Sequence, residues 1–312
     1  MGKPPVALGA AGELAAIPTL HLWLHPPHVQ VPTMPMYDYA NHDMLTEQVA
    51  IPGSRDPVAS LPDRDVEAKK VMARPNLLLI LRHSYDCIRL MHQAGYSLNG
   101  QFGVANLLVY PSLDVRMTGR LHITSFTQDT GDRDYTAFAS CVEEFLCLRE
   151  TVPPHVSRWL NIIRQGVIGD EYLIRYNTAL MAPTQVFSTF MSLRRTLESL
   201  HSANEALYTR IVNSLPEYNL WHSHFYACVN RYMEKARKYQ VNRTGLENPF
   251  DQNIRGVLTL CRHCSEHPGF ELEEDFMLLI VEDDFPELAS NFQTVMFREG
   301  WLLPLNLEQA MG

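Results

Sequence analysis

The chain has 312 residues, 46% of them hydrophobic and 20% charged, with a formal net charge of −9. That length and apolar content allow one large domain or two smaller ones and exclude wholesale disorder. The acidic balance argues against general binding to nucleic acid or to an anionic membrane surface, while leaving room for a local basic groove.

Residues 1–70 hold half of the 20 prolines and no sustained helical or alternating pattern, which predicts a largely irregular segment with one or two short strands. His21, His25 and His28 lie in HLWLHPPH, where the prolines favour an extended, solvated stretch over a metal site. The stretch LAAIPTLHLWL at 14–24 follows Glu13 and is broken by Pro18 and His21, so it does not read as a secretory h-region. No run reaches the ~18 apolar residues of a membrane span, and Val6 spoils the myristoylation pattern. Cys87, Cys141, Cys147, Cys228, Cys261 and Cys264 are spread over apolar segments, which predicts reduced, mostly buried thiols and a cytoplasmic or nuclear location. The sequon Asn242-Arg243-Thr244 would then go unused.

From residue 76 the pattern turns helical. Leu77, Leu81, Tyr85, Ile88 and His92 share one face, and Pro75 suits the first turn. A polar loop follows, then a strand over Leu107–Tyr110, a turn through Pro111–Asp114 and a second strand within GRLHITSF at 119–126. The spacing predicts helices over 132–148 and 153–166, the latter stopped by Gly166. Two long amphipathic helices are expected over 185–213 and 219–240, split at Pro216, and then helices over 251–266 and 272–300, with Pro286 marking a start inside the last. The predicted class is mainly α with a few short strands.

Two stretches carry chemistry-bearing strings. MHQAGYSLNGQFGVANLLV at 91–109 has an apolar helix end, a polar loop and a strand closing on Asn106. Five residues before Asn106 stands Gln101, an amide that cannot take a proton as a carboxylate can. Further on, Ser125-Phe126-Thr127 ends the second strand, and Asp134 opens the helix DYTAFASCVEEF, with Glu144 ten residues later. In the C-terminal part, GVLTLCRHCSEH at 256–267 and DFPELASNFQ at 284–293 stand out. Cys261 and Cys264 with His267 have zinc-like spacing, but no second C-x-x-C exists, and on a helix both cysteines share the apolar face of Val257 and Leu258; core packing is the expected role. The basic set Arg231, Lys235, Arg237, Lys238 and Arg243 reads first as a solvated helix face, though it could touch phosphates.

The run 76–146 resembles a protein-kinase C-lobe with its chemistry removed. The resemblance places Gln101 where the catalytic Asp of H-R-D-x-x-x-x-N belongs, Asn106 at the metal-binding Asn, and Ser125 at the Asp of D-F-G. It makes Asp134 a structural anchor for the loop backbone. A Gly-rich loop and a V-A-I-K lysine are missing, so the N-lobe is absent or rudimentary, and only residues 127–133 stand where an activation segment would be. Helices after such a lobe resemble the kinase-extension nuclease domain of the unfolded-protein-response kinase–endoribonuclease and ribonuclease L, and degenerate relatives of that layout are familiar in plants.

The family cleaves RNA without metal. The resemblance matches Arg262 to its phosphate-binding Arg and His267 to its proton-transfer His, while His263 fills the Asn place and Pro249, next to Phe250, fills the Tyr place. The expected division is thus an irregular segment 1–70, a truncated pseudokinase C-lobe over 71–183 and a helical nuclease-like domain over 184–312. The expected function is a non-catalytic interaction protein, using no cofactor and no metal, that meets a protein partner or a homo- or hetero-dimer mate through the C-terminal helices. The alternatives are a residual metal-independent endoribonuclease using Arg262 and His267, or an ATP-binding kinase-like protein.

Overall fold

The computed structural model describes residues 6–7, 23–25, 32–56, 66–147, 151–225, 230–266 and 274–311. These are mainly helical, with small sheets. The chain divides into two compact units: residues 1–47 with 71–180, and residues 48–70 with 181–312. The described residues among 1–70 fall in both units. The other boundary between the units falls after Leu180.

In the first unit the N-terminal residues supply both strands and core. β1 (Val6–Ala7) pairs antiparallel with β8 (His122–Ser125), which also pairs with β5 (Tyr96–Ser97). β2 (Met34–Pro35) pairs antiparallel with β6 (Leu107–Val109), which forms a hairpin with β7 (Val115–Met117). Trp23 and Met36 are fully buried, and α1 (Met36–His42) follows β2 directly. Large apolar side chains hold this stretch in place despite its prolines, because burying each is worth ~1.5–3 kcal/mol. β3 (Thr46–Ala50) and β4 (Lys69–Ala73) form a separate two-stranded ribbon, within which the chain passes from one unit to the other and back.

α2 (Pro75–Gln93) has Pro75 in its first turn and buries Leu77, Leu81, Tyr85, Ile88 and His92, the face that the heptad-like spacing marks. α3 (Gln128–Cys147) begins four residues before the expected 132. Its start is set by a reciprocal cap: the Thr127 hydroxyl accepts from the Thr130 N–H at 3.2 Å, and the Thr130 hydroxyl accepts from the Thr127 N–H at 2.9 Å. α4 (Pro154–Gln165) ends at Gly166, whose φ of 121° stops the helix, and α5 (Glu171–Arg175) follows. Tyr85, Tyr135, Phe138 and Trp159 form the aromatic centre of this unit, and the Trp159 indole N–H donates to the Ile174 carbonyl at 3.0 Å.

The second unit carries α6 (Pro183–Ala203), α7 (Glu205–Asn213), α8 (Trp221–Phe225), α9 (Arg231–Thr244), α10 (Ile254–Glu266), α11 (Glu274–Asp284), α12 (Leu288–Arg298) and the short α13 (Leu307–Met311). The long helix expected over 185–213 is two helices. Asn204 ends α6 and caps α7 by accepting from the Leu207 N–H at 3.1 Å, a role its short amide fills better than a place inside a helix. Asn230 likewise caps α9 through the Tyr232 N–H at 3.0 Å, breaking the stretch expected over 219–240. The expected helix over 272–300 is broken at Pro286, beside Glu287 with φ 69°. Phe190 packs edge-on against Phe292, and Trp221 against Phe285. Among the described residues no helix is long and apolar enough to cross a membrane.

Candidate functional site

In the first unit, the loop between α2 and β6 hangs on one carboxylate. Asp134, in the second turn of α3, has no exposed surface. Its Oδ2 accepts from the Ser97 hydroxyl at 2.5 Å, from the Leu98 N–H at 3.1 Å and from His92 Nε2 at 2.9 Å. Its Oδ1 accepts from the Gly100 N–H at 2.7 Å. Four donors from three places in the chain thus converge on a buried anion, the arrangement in which charge-assisted hydrogen bonds are strongest.

The loop backbone bends to meet that carboxylate. Asn99 and Gly100 both lie in the left-handed region, at φ 52° and 73°. Arg133 steadies the first by donating from its guanidinium to Asn99 Oδ1 at 2.8 Å. A Cβ on Gly100 would sit 3.2 Å from the Arg133 carbonyl. Gly100→Ala is expected to cost about 1–2 kcal/mol, from left-handed strain together with that contact, and a urea unfolding curve reads it directly.

The other positions singled out by the sequence strings have different duties. Gln101 is exposed. The Asn106 side chain is spent on backbone: its Oδ1 accepts from the Gly103 N–H at 2.9 Å and its Nδ2 donates to the Thr118 carbonyl at 3.1 Å. Ser125 is half-buried at the end of β8, paired in register with Tyr96. Phe126 lays its ring 4.7 Å from the His92 imidazole, which meets Tyr135 edge-on on another side. His92 and Ser97 are functional partners of Asp134 that the motif strings do not mark, although His92 already falls on the apolar stripe of α2.

A magnesium-bound nucleotide does not fit these residues. An amide and a hydroxyl stand at the two expected carboxylate positions, and the amide oxygen of Asn106 already holds a backbone N–H.

In the second unit, α10 carries Arg262 and His263. The Arg262 guanidinium donates to Glu266 at 2.6 Å and holds that carboxyl below its ordinary pKa. His263 faces Gln240 of α9, with nitrogen–nitrogen distances of 3.1 and 3.3 Å, and its ring meets Phe250 edge-on at 5.9 Å. Helix packing thus brings together the positions expected for the Asn and, next to Pro249, the Tyr of the nuclease pattern, but as an imidazole and a phenyl ring. His267 lies outside the described residues, as do His21, His28 and Cys228.

Cys261 and Cys264 are buried on the core side of α10. Burial raises both thiols, Cys264 to about 12. Cys87 and Cys141 are likewise buried free thiols. On α9, Arg231, Lys235, Lys238 and Arg243 are exposed, with Lys238 paired to Glu234 at 2.9 Å.

Compared with protein-family models, with curated proteins and with solved structures, the chain finds no match in any of the three.

Proposed function

We propose that the chain is a non-catalytic, pseudokinase-like interaction protein whose C-terminal helices form a degenerate nuclease-like domain. The observation that carries this reading is the division of labour around Asp134. The residue that anchors a catalytic loop is fully engaged, while the positions that would act on phosphate hold Gln101, Ser125 and an Asn106 committed to the backbone. Selection for a folded loop without its reactive groups fits a protein that works by binding. Its partner class is a second chain of the same layout, the same protein or a relative, docking through the C-terminal helices.

The test has two arms. Pure protein incubated with γ-labelled ATP and magnesium is expected to transfer no phosphate to itself or to a generic substrate, and the nucleotide is expected to leave its melting temperature unchanged. Transfer that a Gln101 or Asn106 substitution abolishes would overturn the reading. Sedimentation at rising concentration then tests for self-association.

The ribonuclease alternative has less support. Arg262 is already paired with Glu266, and half of the four expected groups are other residue types. Loss of one positioned donor can cost ~100-fold or more in rate. A labelled RNA hairpin in chelator is expected to stay intact with wild type and His267→Ala alike; cleavage by wild type alone would revive this alternative.

A further inference from the structure

The second unit contains a cavity of about 360 Å³ between α6, the end of α10 and α11, within the size range of small-molecule sites. It is separate from the kinase-like loop, and neither Arg262 nor His263 lines it. α6 gives it two adjacent rows at helical spacing: Phe187, Met191 and Arg194 on one, Ser188, Ser192 and Arg195 on the other. Met277 of α11 adds a further apolar wall.

The charge in this cavity is not balanced from within. Arg194 is only 9% exposed, yet its guanidinium makes no hydrogen bond among the described residues, and its Nε is buried without an acceptor. The nearest carboxylate, Glu198, is 3.8 Å away and is closer to Arg255, at 3.3 Å. Glu266, on the cavity rim, is taken by Arg262 at 2.6 Å. Arg195 is exposed and forms no ion pair with any described residue. Burying a guanidinium whose one ion-pair partner lies 3.8 Å away and is shared with another arginine is costly, and structures rarely leave such a group without a closer acceptor. The Ser188 and Ser192 hydroxyls rest on helix carbonyls, at 3.1 and 2.9 Å, and can turn outward by exchanging one hydrogen bond for another.

We propose that this cavity binds a small organic oxyanion with an apolar body. The carboxylate or phosphate-monoester head sits on Arg194 and Arg195, with the serine hydroxyls beside it, and the body lies against Phe187, Met191 and Met277. Planar guanidinium groups suit both heads, because each offers paired oxygens to paired N–H donors.

The test uses phenyl phosphate and benzoate as probes and benzyl alcohol as the neutral control, read by calorimetry and by the rise in melting temperature that ligand binding to the folded state produces. At least one anion is expected to bind saturably, and benzyl alcohol at least tenfold more weakly. Arg195→Gln, a change at an exposed position, is expected to weaken the anion at least tenfold. Ser192→Phe, which fills the cavity, is expected to abolish binding while circular dichroism shows an intact helical fold. The proposal fails if neither anion binds wild type, if benzyl alcohol binds as well as the anions, or if Arg195→Gln binds them as wild type does.

Discussion

Asp134→Asn is expected to destabilise the first unit by about 3–5 kcal/mol, the usual cost of breaking a buried charged network by removing one partner. The change keeps the shape and removes the function. An amide has one acceptor oxygen in place of two, and its N–H₂ would face donors from Ser97, Leu98, His92 or Gly100. Donors left buried and unpaired carry the full desolvation penalty. On a unit of this size the melting temperature should fall by roughly 6–20 °C. Ser97→Ala, which removes one donor to Asp134 and the acceptor of the Asn99 N–H at 2.9 Å, should cost about 1–2 kcal/mol. Equal effects from the two variants would show that Asp134 is not the hub.

The second large effect depends on pH. Burial pushes the Asp284 carboxyl up to about 7; nearby Asp283 pushes the same way, and the hydrogen bond from the Asn230 N–H opposes them. Its other oxygen is buried without a partner. In the unfolded chain the group titrates near the ordinary ~3.9. Between those values the folded state keeps a proton that the unfolded state has released, so the favourable contribution is full below about pH 4, fades as pH rises, and is gone above about pH 7. Such a displacement corresponds to at most ~4 kcal/mol, which partial access to water reduces to about 1–3 kcal/mol. Asp284→Asn mimics the protonated form at every pH. Its melting temperature should match wild type near pH 4 and exceed it by a growing margin up to pH 8. A gap that stays constant across thermal melts at pH 4, 5, 6, 7 and 8 would refute the assignment.

What the sequence reveals follows from the range over which each signal acts. The buried face of α2 and the mainly helical class are legible because side-chain periodicity is local. Asp134 is marked in the sequence only through the kinase resemblance, which does not mark its partners His92 and Ser97. The start of α3 is missed by four residues because Thr127 and Thr130 read as loop residues until their mutual bonds are seen. Asn204 and Asn230 are missed for a related reason: asparagine inside a periodic stretch looks like a tolerated polar residue, and only the backbone shows that it caps the next helix. The placement of Trp23 and Met36 in a core, and the sharing of residues 1–70 between units, depend on contacts distant in sequence. Arg194 is the extreme case. Nothing in SLRRTLESL separates it from Arg195, yet one is buried and the other exposed, a difference set where α10 and α11 pack around α6.

The sharing of the early residues has a consequence for biogenesis. Asn230 donates to the Pro52 carbonyl at 2.8 Å, its neighbour Arg231 donates its N–H to the Gly53 carbonyl at 3.0 Å, and Lys70 pairs with Glu282. On a ribosome, which releases the N-terminal end first, residues 48–70 emerge some 160 residues or more ahead of those mates. The early stretch must wait, without its eventual neighbours, until nearly the whole polypeptide has been made. A nascent chain interrupted near residue 200 can complete at most one of its two halves, and in the unfinished one Pro52, Gly53 and Lys70 lack the partners they hold in the finished protein.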